Sequence, residues 1–383
     1  MQFDYIVAGA GLSGSVIARR MAEKGKKVLV VERRKHLAGN LYDEMDATGI
    51  RVQKYGPHTF HTNDEEVFRF VERFADWKPY TLRCEVNMLG ISTPSPFNFK
   101  TIDQFFPQQK ADAVKDRLLR LFPGRESVTI LELMESGDQL VREYSAFLFE
   151  NDYRPYTAKQ WGLKPEEVDH SVLRRVPVRL DYRDSYFTDK YESIPAEGFS
   201  GFIGNMLSHP LITIVHDDIR NRIELRDAGH RILFRATPAT EECRLVYTGP
   251  LDELFGYRYG LLPYRSLRFE ETTLGEDSFQ PAAIVAWPQK EHFTRITEYK
   301  KLPVQEIPGV TLIVKEYPLA YRVGGDEEPY YPVPTADSAL QYAKYLEEAR
   351  RYGNLYLCGR LADFKYYNMD QAVRRALDLS NTL

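Results

Sequence analysis

A strand that runs into Gly-x-Gly-x-x-Gly and then a helix leaves a chain few folds to adopt, and residues 4–40 (DYIVAGAGLSGSVIARRMAEKGKKVLVVERRKHLAGN) carry that arrangement in full. A short apolar strand, Tyr5 to Ala8, precedes Gly9, Gly11 and Gly14. A helix pattern follows through Val16, Ile17 and Met21, and a second strand, Val28 to Val31, ends at Glu32. The first glycine permits a tight turn, the second lets a pyrophosphate reach the backbone, and the third lets helix and strand pack closely. The helix N-terminus offers that pyrophosphate unpaired N–H groups and a partial positive charge. Glu32, 18 residues past Gly14, is placed to accept hydrogen bonds from an adenosine ribose and would repel the extra phosphate of NADP. A lone glycine motif is weak, but strand, loop, helix, strand and acid in this order specify an adenine dinucleotide site.

The rest of the chain makes that unit part of a discontinuous layout. A helix capped by Thr62 or Asn63 is expected to bury Val67, Phe68, Val71 and Phe74 on one face. Arg83–Thr93 reads as a hairpin turning at Asn87–Gly90 and closed by Pro94 and Pro96. Helix formers dominate 101–150, residues 172–189 alternate arginines with apolar residues in a strand-like or loop-like way, and short strands follow at Leu211–Val215 and Leu245–Tyr247. A second β-rich block covers 264–318; a helix from about Ser338 to Tyr352, a strand Leu355–Cys358 and a final helix after Asn368 then return to α/β style.

This predicts an α/β fold with a discontinuous FAD-binding Rossmann-like domain (1–77, 190–250 and 319–383), a small helical insert (101–150) and a twisted antiparallel β-sheet domain (78–100, 151–189 and 251–318). Inserts between the parts of the nucleotide domain favour FAD over NAD, whose dehydrogenases more often keep that domain contiguous.

Composition removes several function classes. A net charge of −4 gives no electrostatic case for nucleic acid. Cys84, Cys243 and Cys358 are scattered without metal spacing and suit a reducing compartment. No run approaches the about 18 apolar residues of a membrane helix, and a strand by residue 5 leaves no room for a signal peptide. Cytoplasm, without membrane insertion, is the expected location. Aromatic residues reach 13%, tyrosines leading with 25. They suit the core, and also pockets that must be apolar-faced yet able to hydrogen-bond.

Two clusters bear on chemistry. YGPHTFHT (55–62) places His58 and His61 three residues apart, either as imidazoles within a turn or as groups beside a flavin ring. PYTAKQWGLKPEEVDHSVLRRVPVRLDYRDSYF (155–187) interleaves Arg174, Arg175 and Arg179 with Tyr156, Trp161, Tyr182 and Tyr186. Such a mixture suits a ligand with a flat base and a diphosphate, or else an exposed basic face over core aromatics. HFTRITEYK (292–300) and EPYYPVP (328–334) repeat the theme with Arg295, Tyr330 and Tyr331.

The series GAGLSG, AGNLYD, KYGPHTFHTND, YTAKQWG, RRVPVR, YTGPLDELFGYRYG, YRSL, FTRITEYK, VKEYPL, EPYYPV and GRLADFKYYNMD, in this order over residues 3–377, resembles the bacterial UDP-galactopyranose mutase family. The resemblance implies a flavoenzyme that interconverts pyranose and furanose forms of a nucleotide sugar without net redox. In such enzymes N5 of reduced FAD attacks the anomeric carbon, the nucleotide leaves, and the ring opens and recloses before the nucleotide returns. Arg175 and Arg295 match the arginines that hold the diphosphate, and Tyr156 and Trp161 match the uracil-stacking tyrosine and the tryptophan of a mobile loop. Tyr186, Tyr331 and Tyr366 match phosphate- or sugar-side tyrosines; His61 matches a histidine next to the flavin, with His58 beside it. Arg360 and Met369 match flavin contacts, and Arg33 and Asn40 join Gly9, Gly11, Gly14 and Glu32 as cofactor-binding residues. Homodimers are common in the family, so a homodimer is the implied assembly. The same fold hosts FAD-dependent amine oxidases, which an oxidoreductase reading would follow; a non-catalytic flavin or nucleotide-sugar binder is a further rival.

The sequence departs from the family pattern at the sugar side. Leu82 and Ala286 stand where the family shows asparagine, Asn368 stands where it shows an acid, and Pro155 replaces a glycine. Each lost partner to a buried hydroxyl matters by about 1–3 kcal/mol. The changes make the pocket less polar, which suits a 6-deoxy sugar such as dTDP-fucopyranose; UDP-galactose remains the substrate if neighbouring groups or water compensate.

Overall fold

The computed structural model describes residues 2–162, 176–235, 237–289, 291–325 and 327–383. The strand Phe3–Ala8 and its neighbour Val28–Glu32 are apolar and buried along both faces, as strands sandwiched between helical layers must be. They centre a five-stranded parallel sheet ordered Ile212–His216, Val28–Glu32, Phe3–Ala8, Ala239–Tyr247, Leu355–Leu357. On one face Tyr5, Val7, Val28 and Val30 pack with the helices Leu12–Glu23, Gly198–Leu207 and Met369–Thr382. On the other, Phe3, Ile6, Leu29 and Val31 share a core with Tyr345, Ala349 and Tyr352 on or just beyond the helix Ala336–Arg351. The α/β class with a Rossmann-like unit is therefore as the glycine motif predicts.

The second β-rich block folds as a seven-stranded sheet ordered Tyr331–Pro332, Tyr264–Leu274, Thr311–Ala320, Arg295–Glu298, Ile284–Ala286, Cys84–Met88, Ile91–Ser95. Its pairings are antiparallel except that between Ile284–Ala286 and Cys84–Met88, which is parallel. The hairpin Cys84–Met88/Ile91–Ser95 turns through Leu89 and Gly90, both at positive φ (54° and 83°), a conformation the glycine makes accessible.

Helices fill the space beside that sheet: Phe99–Phe105, Gln108–Leu121, Ile130–Met134, Gln139–Leu148, a π-turn Phe149–Tyr153, and Arg154–Trp161. The helical run expected over 101–150 continues to Trp161 because the π-turn carries the chain past Glu150 without a break. Val86, Met88 and Phe97 from the sheet side share its core with Val114, Leu118, Tyr144 and Leu148.

Two local expectations need correction. The helix Glu65–Val71 is capped by Asp64, whose carboxylate accepts from the Val67 N–H at 3.1 Å; the Thr62 hydroxyl instead accepts from the Asp64 N–H at 3.0 Å. Phe70 takes the core position expected of Phe68, and Phe68 stacks on Tyr191 at 4.0 Å. Of the 172–189 stretch, 172–175 lie outside the described residues, and Val178–Arg179 pairs with Ser127–Val128. No helix among the described residues is long and apolar enough to cross a membrane.

Candidate active site

The carboxyl ends of the parallel strands open on a cleft of about 1270 Å³, its open mouth included. Gly9, Gly11, Gly14, Glu32, Arg33, Asn40, His58, Arg360 and Met369 all line it, and so does Asn368. The three motif glycines serve different constraints. Gly9 sits at φ +106°, and a Cβ there would lie 2.3 Å from Thr248 Oγ1; a Cβ on Gly14 would lie 2.0 Å from the Gly9 carbonyl oxygen. A Cβ on Gly11 meets nothing closer than Gly39 Cα at 3.8 Å, so its lack of a side chain leaves room in the cleft rather than relieving a clash. Gly11 caps the helix Leu12–Glu23 without a side-chain hydrogen bond, which leaves first-turn N–H groups for an anion.

Glu32 is buried at the end of its strand, and its carboxylate accepts from the N–H of Ala10 (2.7 Å) and of Arg34 (2.9 Å). Beyond it Arg33 pairs with Glu328 (2.8 Å) and Glu253 (3.3 Å), while Arg34 pairs with Glu328 (3.1 Å) and donates to Asn40 Oδ1 (3.0 Å). Burial works against the Arg33 charge, but Glu328 and Glu253 raise its pKa overall. At the opposite end, the helix Met369–Thr382 starts at the cleft, and its dipole favours negative charge there. Its acid is Asp370, held by the Thr62 hydroxyl at 3.3 Å and not among the cleft-lining residues, so Asn368 keeps the cleft-side position as an amide.

The second part of the site is one cross-strand row of the seven-stranded sheet. Val86, Ala286, Arg295, Glu316 and Phe269 are successive register partners and so share a face. Arg295 reaches along the row to Glu316, with Nη2 2.7 Å and Nε 2.9 Å from Oε2. Burial opposes the Arg295 charge, but Glu316 foremost, with Tyr156 and Tyr331, raises its pKa well above the ordinary value. Tyr156, on the helix Arg154–Trp161, has its pKa raised by burial against the opposing pull of Arg295. Tyr331 is pushed up to about 12, by burial first and then by Tyr366. Tyr331 and Tyr366 stack at 5.6 Å, with the Arg360 guanidinium over them at 5.2 and 4.9 Å.

His58 joins the two parts. It lines the cleft, its Nδ1 lies 2.8 Å from the Gly56 carbonyl, and Gly56 itself packs against the row, an added Cβ standing 3.5 Å from both Phe269 and Glu316. Burial, then the Arg360 charge, with a smaller push from Arg295, lower the His58 pKa to about 3. The imidazole is therefore neutral at any working pH.

His61, Leu82, Arg179 and Tyr182 are not among the residues that line the cleft. His61 is on the strand Phe60–Thr62, its Nδ1 2.6 Å from Asp189 Oδ2 and its ring stacked on Phe187 at 3.6 Å. Leu82 is buried in a core with Cys84 and Ile284, against Tyr186 and Phe187, and its carbonyl accepts from the Tyr186 N–H at 2.7 Å. Trp161 closes its helix. Arg174 and Arg175 lie outside the described residues. Arg179 is 5% exposed and bonded within the protein, and Tyr182 is exposed on the helical side, bonded to Asp103.

Sequence reasoning missed Arg265 and Glu316. Arg265, directly opposite Tyr331, lies on the same face as Glu316. It donates to the Gln160 carbonyl at 3.0 Å, meets no carboxylate among the described residues, and burial lowers its pKa. Its signal was an arginine inside the YRSL motif at strand spacing; the signal for Glu316 was an acid inside the buried run GVTLIVKEY.

Comparison with known proteins adds an independent line. Residues 151–366 match the family model GLF, UDP-galactopyranose mutase, and residues 7–74 match an NAD(P)-binding Rossmann-like domain. A UDP-galactopyranose mutase of Mycoplasma pneumoniae is 34% identical over 382 residues, covering 98% of this chain and 95% of that protein. A dTDP-fucopyranose mutase of Escherichia coli is 32% identical over 376 residues, covering 97% of this chain and 96% of that protein. The crystal structure of a reduced UDP-galactopyranose mutase superposes with a TM-score of 0.70 at 18% identity, over 99% of this chain and 95% of that one.

Proposed function

The chain belongs to the UDP-galactopyranose mutase family, and from that premise we propose that it interconverts the pyranose and furanose forms of a nucleoside-diphosphate sugar, with UDP-galactose as substrate. FAD in its reduced form is the cofactor that this membership brings. The residues present fit it: Gly11 leaves open the space a Cβ would fill, the helix N-terminus would receive the pyrophosphate, and Glu32, which lines the same cleft, would accept from the ribose. When bound and reduced, the flavin would supply a nucleophile for the anomeric carbon in a reaction without net redox.

The observation that carries the proposal is the joining of the two parts through His58, which lines the cofactor cleft and is bonded to the carbonyl of Gly56, itself packed against Glu316 and Phe269 of the Arg295 row. A sugar bound in front of Arg295 would then border the inner end of the cleft. In this reading Arg295, with Arg175 and Arg265, holds the diphosphate and stabilises it as it leaves. Tyr156 stacks on the base; Tyr186, Tyr331 and Tyr366 line the phosphate and sugar. His58, being neutral, adds no positive charge to compete with those arginines. No acid–base pair is needed at the leaving group, because a diphosphate departs without protonation when its charge is held.

A second substrate is supported by the row itself. Ala286 stands directly beside Arg295, where an amide would have offered a sugar hydroxyl two partners, and Asn368 keeps an amide where the family pattern has an acid. A 6-deoxy sugar on dTDP loses least from these changes, and a dTDP-fucopyranose mutase is among the relatives.

The test is product formation by dithionite-reduced enzyme offered UDP-galactofuranose and dTDP-fucofuranose in parallel. Turnover of the UDP sugar supports the first substrate, and turnover of the dTDP deoxysugar alone supports the second. Flavin-bound, reduced enzyme that turns over neither, or flavin reduction by an amine, overturns the mutase reading.

A further inference from the structure

Arg179 is buried to 5% exposure at the end of the short strand Val178–Arg179. No carboxylate among the described residues makes an ion pair with its guanidinium; burial foremost and then Arg183 lower its pKa, while Asp181, Glu192 and Glu126 act on it from farther off. A buried guanidinium without a directly paired carboxylate is costly, and an apolar side chain would fill the same volume at less cost. What the arginine adds is direction. Nη1 donates to Ser185 Oγ at 3.3 Å, and Nη2 donates to the carbonyl oxygens of Tyr186 at 3.2 Å and Phe187 at 3.3 Å. Its own backbone N–H is fixed by the Phe97 carbonyl at 2.7 Å, which anchors the guanidinium to the wall of the helical insert.

Three successive residues are thus gripped from one side, and the other side is gripped as well. The Tyr186 N–H donates to the Leu82 carbonyl at 2.7 Å, and the Phe187 ring lies flat on His61 at 3.6 Å and 15°. His61 is fixed in turn by Asp189 at 2.6 Å, with Asn63 donating to the same carboxylate. The Tyr186 and Phe187 rings meet edge to face at 4.8 Å, so moving one displaces the other.

We infer that Arg179 is a positioning residue for substrate: its guanidinium locks the 185–187 segment so that Tyr186 meets the nucleotide sugar in one fixed orientation. This rests on the reading of Tyr186 as a substrate-side tyrosine. It differs from a diphosphate-holding role, because the donors that the structure shows engaged go to protein carbonyls and the Ser185 hydroxyl.

The experiment uses FAD-loaded enzyme. UDP affinity is followed by flavin fluorescence, and kcat and KM are measured with UDP-galactofuranose under dithionite, for Arg179→Met, Arg179→Lys, Arg179→Ala and Tyr186→Ala. Arg179→Met is expected to weaken UDP by about tenfold and to raise KM more than it lowers kcat, with flavin content unchanged. Guanidinium, but not ammonium, restores UDP affinity to Arg179→Ala, an outcome that simple space filling does not give. UDP affinity and turnover within about twofold of wild type in Arg179→Met overturn the inference. If that variant does not fold, Arg179→Lys decides the matter: a raised KM supports the inference, because a point charge lacks the planar fork, and an unchanged KM overturns it. Undiminished UDP binding in Tyr186→Ala overturns the reading of Tyr186 itself. Weakened binding there together with full binding in Arg179→Met overturns only the role given to Arg179.

Discussion

Arg295 and Glu316 face each other across neighbouring antiparallel strands, Nη2 to Oε2 2.7 Å apart, with the carboxylate side chain only 5% exposed. The pair fixes the guanidinium along the sheet through Nε and Nη2 and makes no bond through Nη1 among the described residues. Losing a charge-assisted hydrogen bond of about 1.5–3 kcal/mol, Glu316→Gln is expected to lower kcat/KM by roughly ten- to a hundredfold. Arg295→Ala should nearly abolish turnover with FAD still bound, and should also destabilise the fold by about 3–5 kcal/mol, because it strands a buried carboxylate. The double variant Arg295→Ala/Glu316→Gln recovers most of that stability but no turnover. Thermal melts alongside steady-state assays check both halves; near-normal turnover in Arg295→Ala removes it from the site.

His58 gives a prediction about acid. Its folded pKa is about 3 against an ordinary 6.5, so between those values the unfolded chain binds a proton that the folded chain does not. The contribution of His58 to stability is therefore present above pH 6.5 and is lost as pH falls toward 3. His58→Gln should flatten stability against pH across that window. Denaturant titrations of both proteins between about pH 4.5 and 7.5 measure it; parallel curves would mean that the imidazole is not held neutral.

Asp152, in the π-turn one helical turn before Tyr156, behaves with the opposite sign. Burial raises its pKa to about 7 from 3.8. The folded chain thus holds a proton that the unfolded chain releases, and stability from this group falls as pH rises through that interval. Asp152→Asn should gain melting temperature over wild type at pH 8 and lose the gain near pH 4. A gain that is the same at both values rejects the titration.

The glycine motif can be separated into scaffold and ligand parts. Gly14→Ala places a methyl group 2.0 Å from the Gly9 carbonyl oxygen and should cost several kcal/mol of apoprotein stability, at least about 2. Beyond its chain neighbours, the nearest atom to the new Cβ in Gly11→Ala is Gly39 Cα at 3.8 Å, an ordinary contact. That variant's apoprotein should melt as wild type does while FAD binds more weakly. Unchanged FAD affinity would place the pyrophosphate elsewhere.

How much was legible in the sequence follows from how local each signal is. The Gly9–Glu32 unit was readable because one βαβ segment carries all its parts, and the parallel sheet formed around it as expected. The hairpin at residues 84–95 was readable from its turn residues. The pairing of Arg295 with Glu316 was not, since it depends on a register between two strands that no periodicity fixes. The cap of the helix Glu65–Val71 was misread by one or two residues, because Thr62, Asn63 and Asp64 can all cap and only the backbone path selects Asp64. Arg179 read as one of several basic residues among aromatics; its burial is set by Phe97 and Ser127, which are distant in the chain.

The parallel seam between Cys84–Met88 and Ile284–Ala286 has a consequence for how the protein is made. The hairpin that begins at Cys84 emerges early in synthesis, yet its inner edge has no neighbour until Ile284 has been added. Pairings so far apart in sequence form slowly, since a long loop must close before any contact rewards it. Until then the edge of Cys84–Met88 is an open template for other strands. The row bearing Ala286 and Arg295 meets Val86 only when this seam zips, so the face proposed to hold the substrate matures after the first strands of the parallel sheet have been made.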